Sequence, residues 1–398
     1  MIVNIEFFDE EPIENVITNL NFIVEKTIFF GYEEVMKPHK NTVETFLKKV
    51  CHVQAVEFYS VDPFDLMAIM KSIANVVRRE QEQGNQVYFD LTGGESLLLV
   101  AFGILSQEFS APMFMFDVKT NELIEFCCSG NSIGGIGRQR RISLNLDQYV
   151  SLYDGTINYR QKKVFKEMSL DGGADIENLW KLSREFGDKW VHYSSILRKF
   201  PTDTTLLMEC DRETFQQTFL KHGRAGTLKE FHRFMHGLSH LGLVKLYAAG
   251  KNGYKFRYKN SSIKQLLWDS GSILEMYVFL QESRKTGMDD CRVGVHIDWD
   301  GVVHRSGDQD VLNEIDVVSI KENQPTFISC KIGNVDQMAL YELETVANRF
   351  GGKYAKKVLA TAQKPSPAHL QRAKEMGIEI RMMGGTNETN ETFKKEER

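Results

Sequence analysis

Cysteine is scarce in this chain, and its spacing excludes two kinds of structure. Six cysteines occur among the 398 residues, and no two of them form a CxxC pair. Paired cysteines of that kind are typical of zinc sites, and a dense, regular set in a short chain is typical of disulfide frameworks. The sequence therefore predicts neither, and we expect most of the cysteines to be small buried residues of a reducing cytoplasm.

Long apolar runs and a strong net charge are also missing. No apolar run reaches the length of a membrane span, so we expect a cytoplasmic protein with no membrane partner. The net charge of -5 gives no overall attraction to nucleic acid, and any basic binding surface must be local. A hydrophobic content of 42% with 26% charged residues is typical of a globular protein, and 398 residues suit two or three domains.

Two common nucleotide-binding fingerprints do not occur: GxGxxG of dinucleotide-binding proteins and GxxxxGK[ST] of the P-loop. The N-terminal residues 1–150 instead alternate strand and helix patterns, beginning with Ile2–Phe8 and ending with Glu122–Cys127. Repeated units of this kind predict a Rossmann-like parallel sheet with helices on both faces.

Two loops stand out at the predicted carboxyl ends of these strands, where such sheets bind ligands. The first is FDEE, residues 8–11, and the second is DLTGGES, residues 90–96. Paired glycines let the backbone approach a ligand closely, and the start of the following helix offers amide donors to phosphate. A tight strand-to-helix turn without a ligand is the structural alternative.

The second informative region is NEIDVVSIKENQPTFISCKIG, residues 313–333. Two strand-like runs, Ile315–Ile320 and Thr326–Lys331, flank a polar turn and predict a hairpin. That hairpin places Glu314 and Asp316 on one strand opposite Lys331 on the next. Carboxylates suit a hard divalent cation, and a neighbouring lysine can orient water or stabilise charge on a phosphodiester.

Asp316 followed by Ser329-Cys330-Lys331 resembles the PD-(D/E)xK core of restriction-endonuclease-like nucleases. The surrounding patterns agree with the helix, three strands, helix and strand of that core, and we assign residues 268–383 to it. The predicted elements are Ser272–Gln281, Cys291–Trp299, Ile315–Ile320, Thr326–Lys331, Asp336–Phe350 and Lys357–Thr361.

The sequence departs from the nuclease motif at Ser329, which stands where a second acid is expected and cannot supply a carboxylate. Glu275 and Glu314 are the candidates to replace it. The resemblance implies that Asp316, Glu275 and the main-chain carbonyl of Cys330 bind Mg²⁺ or Mn²⁺. Gln337 and Tyr341 are spaced like the QxxxY element of some of these nucleases, which implies substrate contact, although packing would explain them equally.

The strand-DxTGGxS-helix segment resembles the signature of CARF domains, which bind cyclic oligoadenylates. Together with the nuclease motif, it resembles the CRISPR-associated ancillary nucleases of type III systems. The resemblance implies a homodimer whose ligand is lined by a set of residues from both loops: Asp9, Glu10, Asp90, Thr92, Gly93, Gly94, Glu95 and Ser96.

Residues 156–265 predict helices followed by a basic β-hairpin, which is the pattern of a winged helix. Lys251, Lys255, Arg257 and Lys259 could contact nucleic acid there, or the module could serve as a spacer. The spacing of His232, His236 and His240 on one helical face suggests a metal site, but a partly exposed helix stripe is the favoured interpretation. The polar tail, residues 384–398, is predicted to be disordered.

The leading hypothesis is a metal-dependent nuclease that cleaves DNA and/or RNA and is activated by a cyclic oligoadenylate, with the four-membered ring as the expected activator. The alternative is a ligand-gated winged-helix regulator with a vestigial nuclease core, for which Ser329 is the best support. A third hypothesis is that the N-terminal domain itself cleaves the ring, but neither loop shows an obvious base.

Overall fold

Three β-sheets organise the chain. The structure, a computed structural model, describes residues 1–126, 141–159, 173–222, 227–250, 253–299, 301 and 312–383. Its sheets have six, three and six strands, in that order along the chain, with helices packed around them. The predicted mixed α/β class is confirmed, and the predicted disordered tail lies outside the described residues.

The N-terminal sheet has the strand order β3-β2-β1-β4-β5-β6. Its strands are β1 (Ile2–Phe7), β2 (Lys26–Gly31), β3 (Ala55–Ser60), β4 (Gln86–Asp90), β5 (Met113–Asp117) and β6 (Glu122–Phe126). All neighbours pair in parallel except β5 and β6, which form an antiparallel hairpin. The central strands β1 and β2 are almost continuously buried because helices cover both faces.

Four helices connect these strands: α1 (Ile17–Asn21), α2 (Glu33–Lys49), α3 (Leu66–Glu82) and α4 (Ser96–Phe109). Asp65 caps α3 by accepting a hydrogen bond from the amide of Ala68. The sequence predicts a helix over Pro12–Leu20, but the regular helix begins only at Ile17, after a series of turns. The chain then forms α5 (Leu146–Leu152), which Asn145 and Gln148 cap reciprocally, and the short strand β7 (Thr156–Ile157).

The middle region contains the predicted helix and hairpin of a winged-helix-like fold. Its elements are α6 (Gly173–Phe186), α7 (Asp188–Leu197), β8 (Leu207–Cys210), α8 (Arg212–His222), α9 (Leu228–His240), β9 (Val244–Gly250), β10 (Gly253–Tyr258) and α10 (Ser261–Trp268). Thr227 and Glu230 form a capping box at the start of α9. The sequence pattern predicts a helix over Ile157–Phe186, but Ile157 belongs to β7.

The C-terminal elements follow the predicted order of helix, three strands, helix and strand. They are α11 (Ser272–Ser283), β11 (Met288–Asp298), β12 (Leu312–Lys321), β13 (Gln324–Lys331), α12 (Gln337–Gly351), β14 (Lys356–Thr361), α13 (Pro367–Glu375) and β15 (Ile378–Met382). A single 3₁₀ turn, Gly352–Tyr354, joins α12 to β14. The sheet order is β15-β14-β13-β12-β11-β7.

One edge strand of the C-terminal sheet, β7, comes from the N-terminal half of the chain. β7 pairs antiparallel with β11, placing Ile157 beside Ile297 and Thr156 beside Asp298. This pairing covers backbone donors and acceptors that an edge strand would otherwise expose. The segment that leaves the N-terminal sheet is therefore part of the C-terminal one.

The C-terminal sheet lies between two hydrophobic cores. Consecutive residues of one strand point to opposite faces, so Val318 joins a core with N-terminal residues and α12, whereas Val317 joins a core with the middle helices and α11. Phe327 and Ile328 divide in the same way. Both flanking regions thus pack directly on the C-terminal sheet. Within the described part of the chain, none of the helices combines the length and apolarity needed to cross a bilayer.

Candidate functional site

Asp316 lies where β12 and β13 cease to pair regularly. The last antiparallel partners toward this end are Val317 and Ile328. Beyond them the Asp316 carboxylate reaches across to β13, and its Oδ2 accepts hydrogen bonds from the amide of Cys330 at 2.6 Å and from Ser329 Oγ at 3.4 Å. Ser329, which replaces the expected acid, therefore helps to orient the acid that is present.

Glu275 lies on helix α11, whose apolar residues pack on the face of the sheet that carries Val317 and Ile328. It lies in the first helical turn, where a carboxylate is favoured by the positive end of the helix dipole, and only 8% of its surface is exposed. Asp269 precedes the helix and bonds Ser272 Oγ at 2.6 Å, which fixes how α11 begins.

The pKa of the Cys330 thiol indicates that the predicted catalytic groups lie near one another. Burial raises the pKa of this thiol well above its usual value, and the nearby carboxylates of Asp316 and Glu275 raise it further. The cations of Arg381 and Lys331 act in the opposite direction on the same pKa. Two carboxylates and two cations from four different elements therefore lie close enough to this half-buried side chain to shift its pKa.

Sequence reasoning missed Arg381. Parallel pairing sets Cys330 beside Ala360 and Ala360 beside Arg381, so the arginine lies in the same row of the sheet, two strands away. Its guanidinium bonds the buried Glu282 of α11 at 2.5 Å. The alternating apolar and charged residues of Ile378–Met382 could have indicated this further strand.

Glu314 has a different neighbour from Asp316. It lies opposite His296 of β11, and His296 Nε2 is 3.6 Å from its carboxylate. Gln337 donates to the Tyr341 hydroxyl at 2.7 Å, and Arg372 of α13 donates to the same oxygen at 3.0 Å. The two residues of the predicted QxxxY element thus form one polar unit near the start of α12, which Asp336 caps through the amide of Ala339.

The donor set near Asp316 is suited to a hard cation but is small. Among the residues that the structure describes, no group of three or more His, Cys, Asp or Glu side chains is arranged to hold a metal ion. The carboxylates of Asp316 and Glu275, with a main-chain carbonyl at Cys330, are all oxygen donors. Mg²⁺ usually keeps several waters and takes only one or two protein carboxylates, so these residues fit such an ion.

The two predicted ligand loops follow the neighbouring parallel strands β1 and β4. The Asp9 carboxylate connects them, because its Oδ2 accepts from the Gly94 amide at 3.1 Å and its Oδ1 from the Glu11 amide at 2.8 Å. A Cβ atom on Gly93 would lie 3.0 Å from Asp9. Gly94 has a φ of +137°, which favours glycine. Glu10, Glu95 and Ser96 are exposed beside this turn.

Asp90 supports the loop and does not line its surface, which corrects the prediction of direct ligand contact. Its side chain is fully buried and accepts hydrogen bonds from Thr18 Oγ1 at 2.5 Å, Asn4 Nδ2 at 3.3 Å and the Thr92 amide at 2.9 Å. Burial raises the pKa of Asp90, and these donors act against that rise. Thr92 Oγ1 accepts from the Phe116 amide at 3.0 Å, which ties the turn to β5.

Two of the four charges predicted for nucleic-acid contact in the middle region form ion pairs. Lys255 lies 2.8 Å from Glu209, and Lys259 lies 2.6 Å from Asp175. Lys251 lies outside the described residues. One ring nitrogen of His232 is 2.9 Å from the Tyr254 hydroxyl, which agrees with the interpretation of the histidines as a helix stripe.

Comparison with known proteins supports the C-terminal assignment. Residues 264–396 match the family model described as Card1-like, endonuclease domain, which confirms the predicted resemblance for this part of the chain. A search of curated proteins found no match.

Two solved structures resemble nearly the whole chain in fold. The protein VC1899 from Vibrio cholerae is 15% identical, with a TM-score of 0.68 over 96% of this chain and 93% of that one. Can2 from Sulfobacillus thermosulfidooxidans, solved in complex with cyclic tetra-adenylate, is 16% identical, with a TM-score of 0.61 over 95% of this chain and 92% of its own.

Proposed function

We propose that the chain is a divalent-metal-dependent endonuclease that a cyclic oligoadenylate activates in type III CRISPR defence, with DNA and/or RNA as its substrate. The observation that carries this proposal is the Asp316 carboxylate, which the amide of Cys330 holds at 2.6 Å against the strand that also carries Lys331. Glu275 lies close enough to raise the pKa of the Cys330 thiol. The match of residues 264–396 to an endonuclease domain supports the same conclusion.

The side chains divide the chemistry between them. Asp316 and Glu275 would hold the cation, and Ser329 and the Cys330 amide keep the Asp316 carboxylate in place. A bound Mg²⁺ or Mn²⁺ would polarise the phosphate and lower the pKa of a bound water. Lys331 stabilises the negative charge that develops on the phosphate oxygens. Gln337 and Tyr341 contact the nucleic-acid strand beside the phosphodiester bond that is cleaved.

The N-terminal loops suit a ring of phosphates. The Gly93-Gly94 turn leads directly into α4, whose first amides and positive dipole attract anions. Cyclic tetra-adenylate is the first activator to test because Can2, a protein of similar fold, was solved with it.

A second copy of the chain completes the ligand site in this proposal. A four-membered ring has two-fold symmetry and is matched by two equivalent loops in a two-fold dimer. Val100 and Ile104 are 49% and 45% exposed on α4, directly after the turn. Burial of these apolar side chains in a homodimer would stabilise the pairing next to the ligand.

Cleavage assays test the catalytic assignment. The purified chain is incubated with plasmid DNA, single-stranded DNA and single-stranded RNA, with and without cyclic tetra-adenylate and with Mg²⁺, Mn²⁺ or a chelator. We expect ligand-stimulated cleavage that the chelator abolishes. Asp316→Asn and Lys331→Ala should each lower the rate about 100-fold or more, which is the usual effect of losing a group that stabilises transition-state charge.

Glu322→Gln is the matched control, because it removes an exposed carboxylate from the turn of the same hairpin. It should cleave at the wild-type rate. Full activity of folded Asp316→Asn, or stimulation that persists in the chelator, would contradict the proposal. The substrate that is degraded fastest decides between DNA and RNA.

A further inference from the structure

The first ligand loop continues without a break into a contact with the C-terminal domain. The Asp9 carboxylate accepts a hydrogen bond from the amide of Gly94 in the second loop at 3.1 Å and one from the amide of Glu11 in its own loop at 2.8 Å. Asn15 fixes the same residue through both main-chain groups, since its side chain bonds the amide and the carbonyl of Asp9 at 2.8 Å each. The position of Glu11 is therefore tied to the conformation of the Gly93-Gly94 turn.

The Glu11 side chain contacts the segment that follows helix α12. Its Oε2 accepts a hydrogen bond from the amide of Lys353 at 2.8 Å, and its Oε1 accepts one from the Tyr153 hydroxyl. Gly352 has a φ of +60°, and a Cβ there would lie 2.0 Å from Glu11 Oε1. Only glycine leaves room for the carboxylate at this position.

Glu14 makes a second contact with the same 3₁₀ turn. Its carboxylate lies 2.8 Å from Lys353 Nζ and accepts from the Tyr354 hydroxyl, and its side chain is 3% exposed. On the other side, the Tyr149 hydroxyl is 3.4 Å from the carbonyl of Gly351, the last residue of α12. Glu11, Glu14 and Tyr149, all from the N-terminal part of the chain, thus contact the end of α12 and the turn after it, and Gln324 of β13 also donates to the carbonyl of Tyr354 at 3.1 Å.

Helix α12 connects this contact to the catalytic region. It runs from Gln337 to Gly351, and its first turn carries the polar unit of Gln337 and Tyr341. The 3₁₀ turn leads into β14, which pairs residue by residue with the β13 segment that contains Ser329, Cys330 and Lys331. A displacement of Lys353 would therefore be transmitted through α12 to Gln337 and Tyr341, and through β14 to the neighbouring segment of β13.

We propose that Glu11 is the positioning residue through which the occupied ligand loop sets the place of α12 and β14. The proposal rests on the function proposed above and names the contact that regulates it. Ligand that rearranges the Gly93-Gly94 turn moves Asp9, Asp9 moves Glu11, and Glu11 carries the Lys353 amide with it. Glu14 holds the same turn through a carboxyl group that bonds Lys353 Nζ and the Tyr354 hydroxyl.

Glu11→Ala tests this coupling. Cyclic tetra-adenylate binding is measured by calorimetry, cleavage is measured without ligand and at saturating ligand, and amide hydrogen exchange is followed in residues 350–356. We expect the affinity to change less than about threefold, because Glu11 is not a ligand contact, while the ratio of stimulated to unstimulated cleavage falls at least about tenfold. Ligand should alter exchange at residues 350–356 in the wild type but not in the variant.

Two further variants guard against a folding defect. Tyr153→Phe removes one donor to Glu11 and should lower the stimulation ratio in part, and Glu11→Gln, which keeps an acceptor oxygen, should retain more stimulation than Glu11→Ala. Glu34→Ala is the control, because Glu34 is an exposed residue of α2. It should match the wild type in every measurement.

The outcomes separate the two proposals. A wild type that binds and responds to ligand, together with a folded Glu11→Ala whose stimulation ratio is unchanged, overturns the coupling and leaves the nuclease intact. Binding without any change in exchange at residues 350–356 also overturns the coupling. A wild type that binds no cyclic tetra-adenylate overturns the proposed activator and the coupling with it.

Discussion

Asp90 and Glu95 lie in the same seven-residue loop motif but differ in their surroundings. Asp90 is buried beneath the loop with four donors from three residues around it, whereas Glu95 is exposed at the start of α4. The sequence placed both at the ligand. Burial separates a residue that maintains the loop from one that is able to touch a bound molecule.

We predict opposite patterns for the two alanine variants. Asp90→Ala leaves Thr18, Thr92 and Asn4 without their shared acceptor and should lower the free energy of unfolding by about 2 to 4 kcal/mol, with weaker ligand binding as a result. Glu95→Ala should change the free energy of unfolding by less than about 0.5 kcal/mol and alter only ligand affinity. Urea denaturation and calorimetric binding measure both quantities. Equal stability of the two variants would contradict the supporting role of Asp90.

The pH dependence of stability should report on Glu14. Burial raises the pKa of its carboxyl group to about 7, although the Lys353 and Tyr354 donors lower it and Asp9 raises it. A carboxyl group whose pKa is higher in the folded than in the unfolded state binds more protons when folded, so it contributes stability at low pH that is lost as the pH rises toward 7. Wild-type stability should therefore fall relative to Glu14→Gln between about pH 4.5 and 7.

Thermal unfolding of the two proteins across this pH range measures the effect. Parallel profiles would show that Glu14 titrates normally. Glu44→Gln is a suitable control, because Glu44 pairs with Lys48 on the surface of α2 and should leave the pH profile unchanged.

The site residues that could be predicted from the sequence are those with a suitable side chain at the spacing of a known motif. Asp316, Lys331 and Glu275 were expected together, and all three act on the Cys330 thiol. Arg381 and Glu11 were not expected, because their roles depend on strands and turns that meet only in three dimensions. Glu11 in particular contacts residue 353, which no local pattern connects to it.

At the scale of elements, α4 offers the clearest test of the proposed dimer. Its exposed face carries Ser96, Val100 and Ile104, and apolar side chains on that face are unusual for a helix surrounded by water. We predict that Val100→Glu combined with Ile104→Glu converts a homodimer to a monomer, since each carboxylate would be buried against its symmetry mate.

Sedimentation at several protein concentrations distinguishes the two states. Gln54→Glu, an exposed position before β3, adds charge elsewhere and should sediment as the wild type does. A double variant that remains dimeric would show that another surface joins the copies.

Most elements followed from periodicity and capping residues, but strand β7 did not. The hairpin of β12 and β13 and the helix after it agree with the sequence because alternation and a capping Asp336 define them. Strand β7 has only two residues, Thr156 and Ile157, which is too short to show alternation. Its formation depends on β11, and the sequence near Ile157 favoured a helix.

At the scale of the whole molecule, the C-terminal sheet is the shared structural centre. One of its faces packs on N-terminal residues and the other on the middle helices. We predict one cooperative thermal transition for the chain, since loss of either neighbour exposes a core face of the same sheet. Cyclic tetra-adenylate should raise the midpoint of that entire transition by mass action.

Differential scanning calorimetry measures this prediction, and a fragment of residues 264–398 provides the complementary experiment. The fragment lacks β7 and both packing partners and should not fold cooperatively. Two separate transitions in the full chain, of which ligand shifts only the first, would show that the regions unfold independently.

The pairing of β7 with β11 restricts where recombination can join this C-terminal domain to a different N-terminal domain. A recombination event that joined a foreign receptor at residue 160 would remove Thr156 and Ile157 from the side of β11 and leave an open sheet edge that invites aggregation. Successful chimeras should therefore carry residues 141–159 along with the nuclease half. The genetic boundary between the two functions would then fall before α5, within the N-terminal half of the gene.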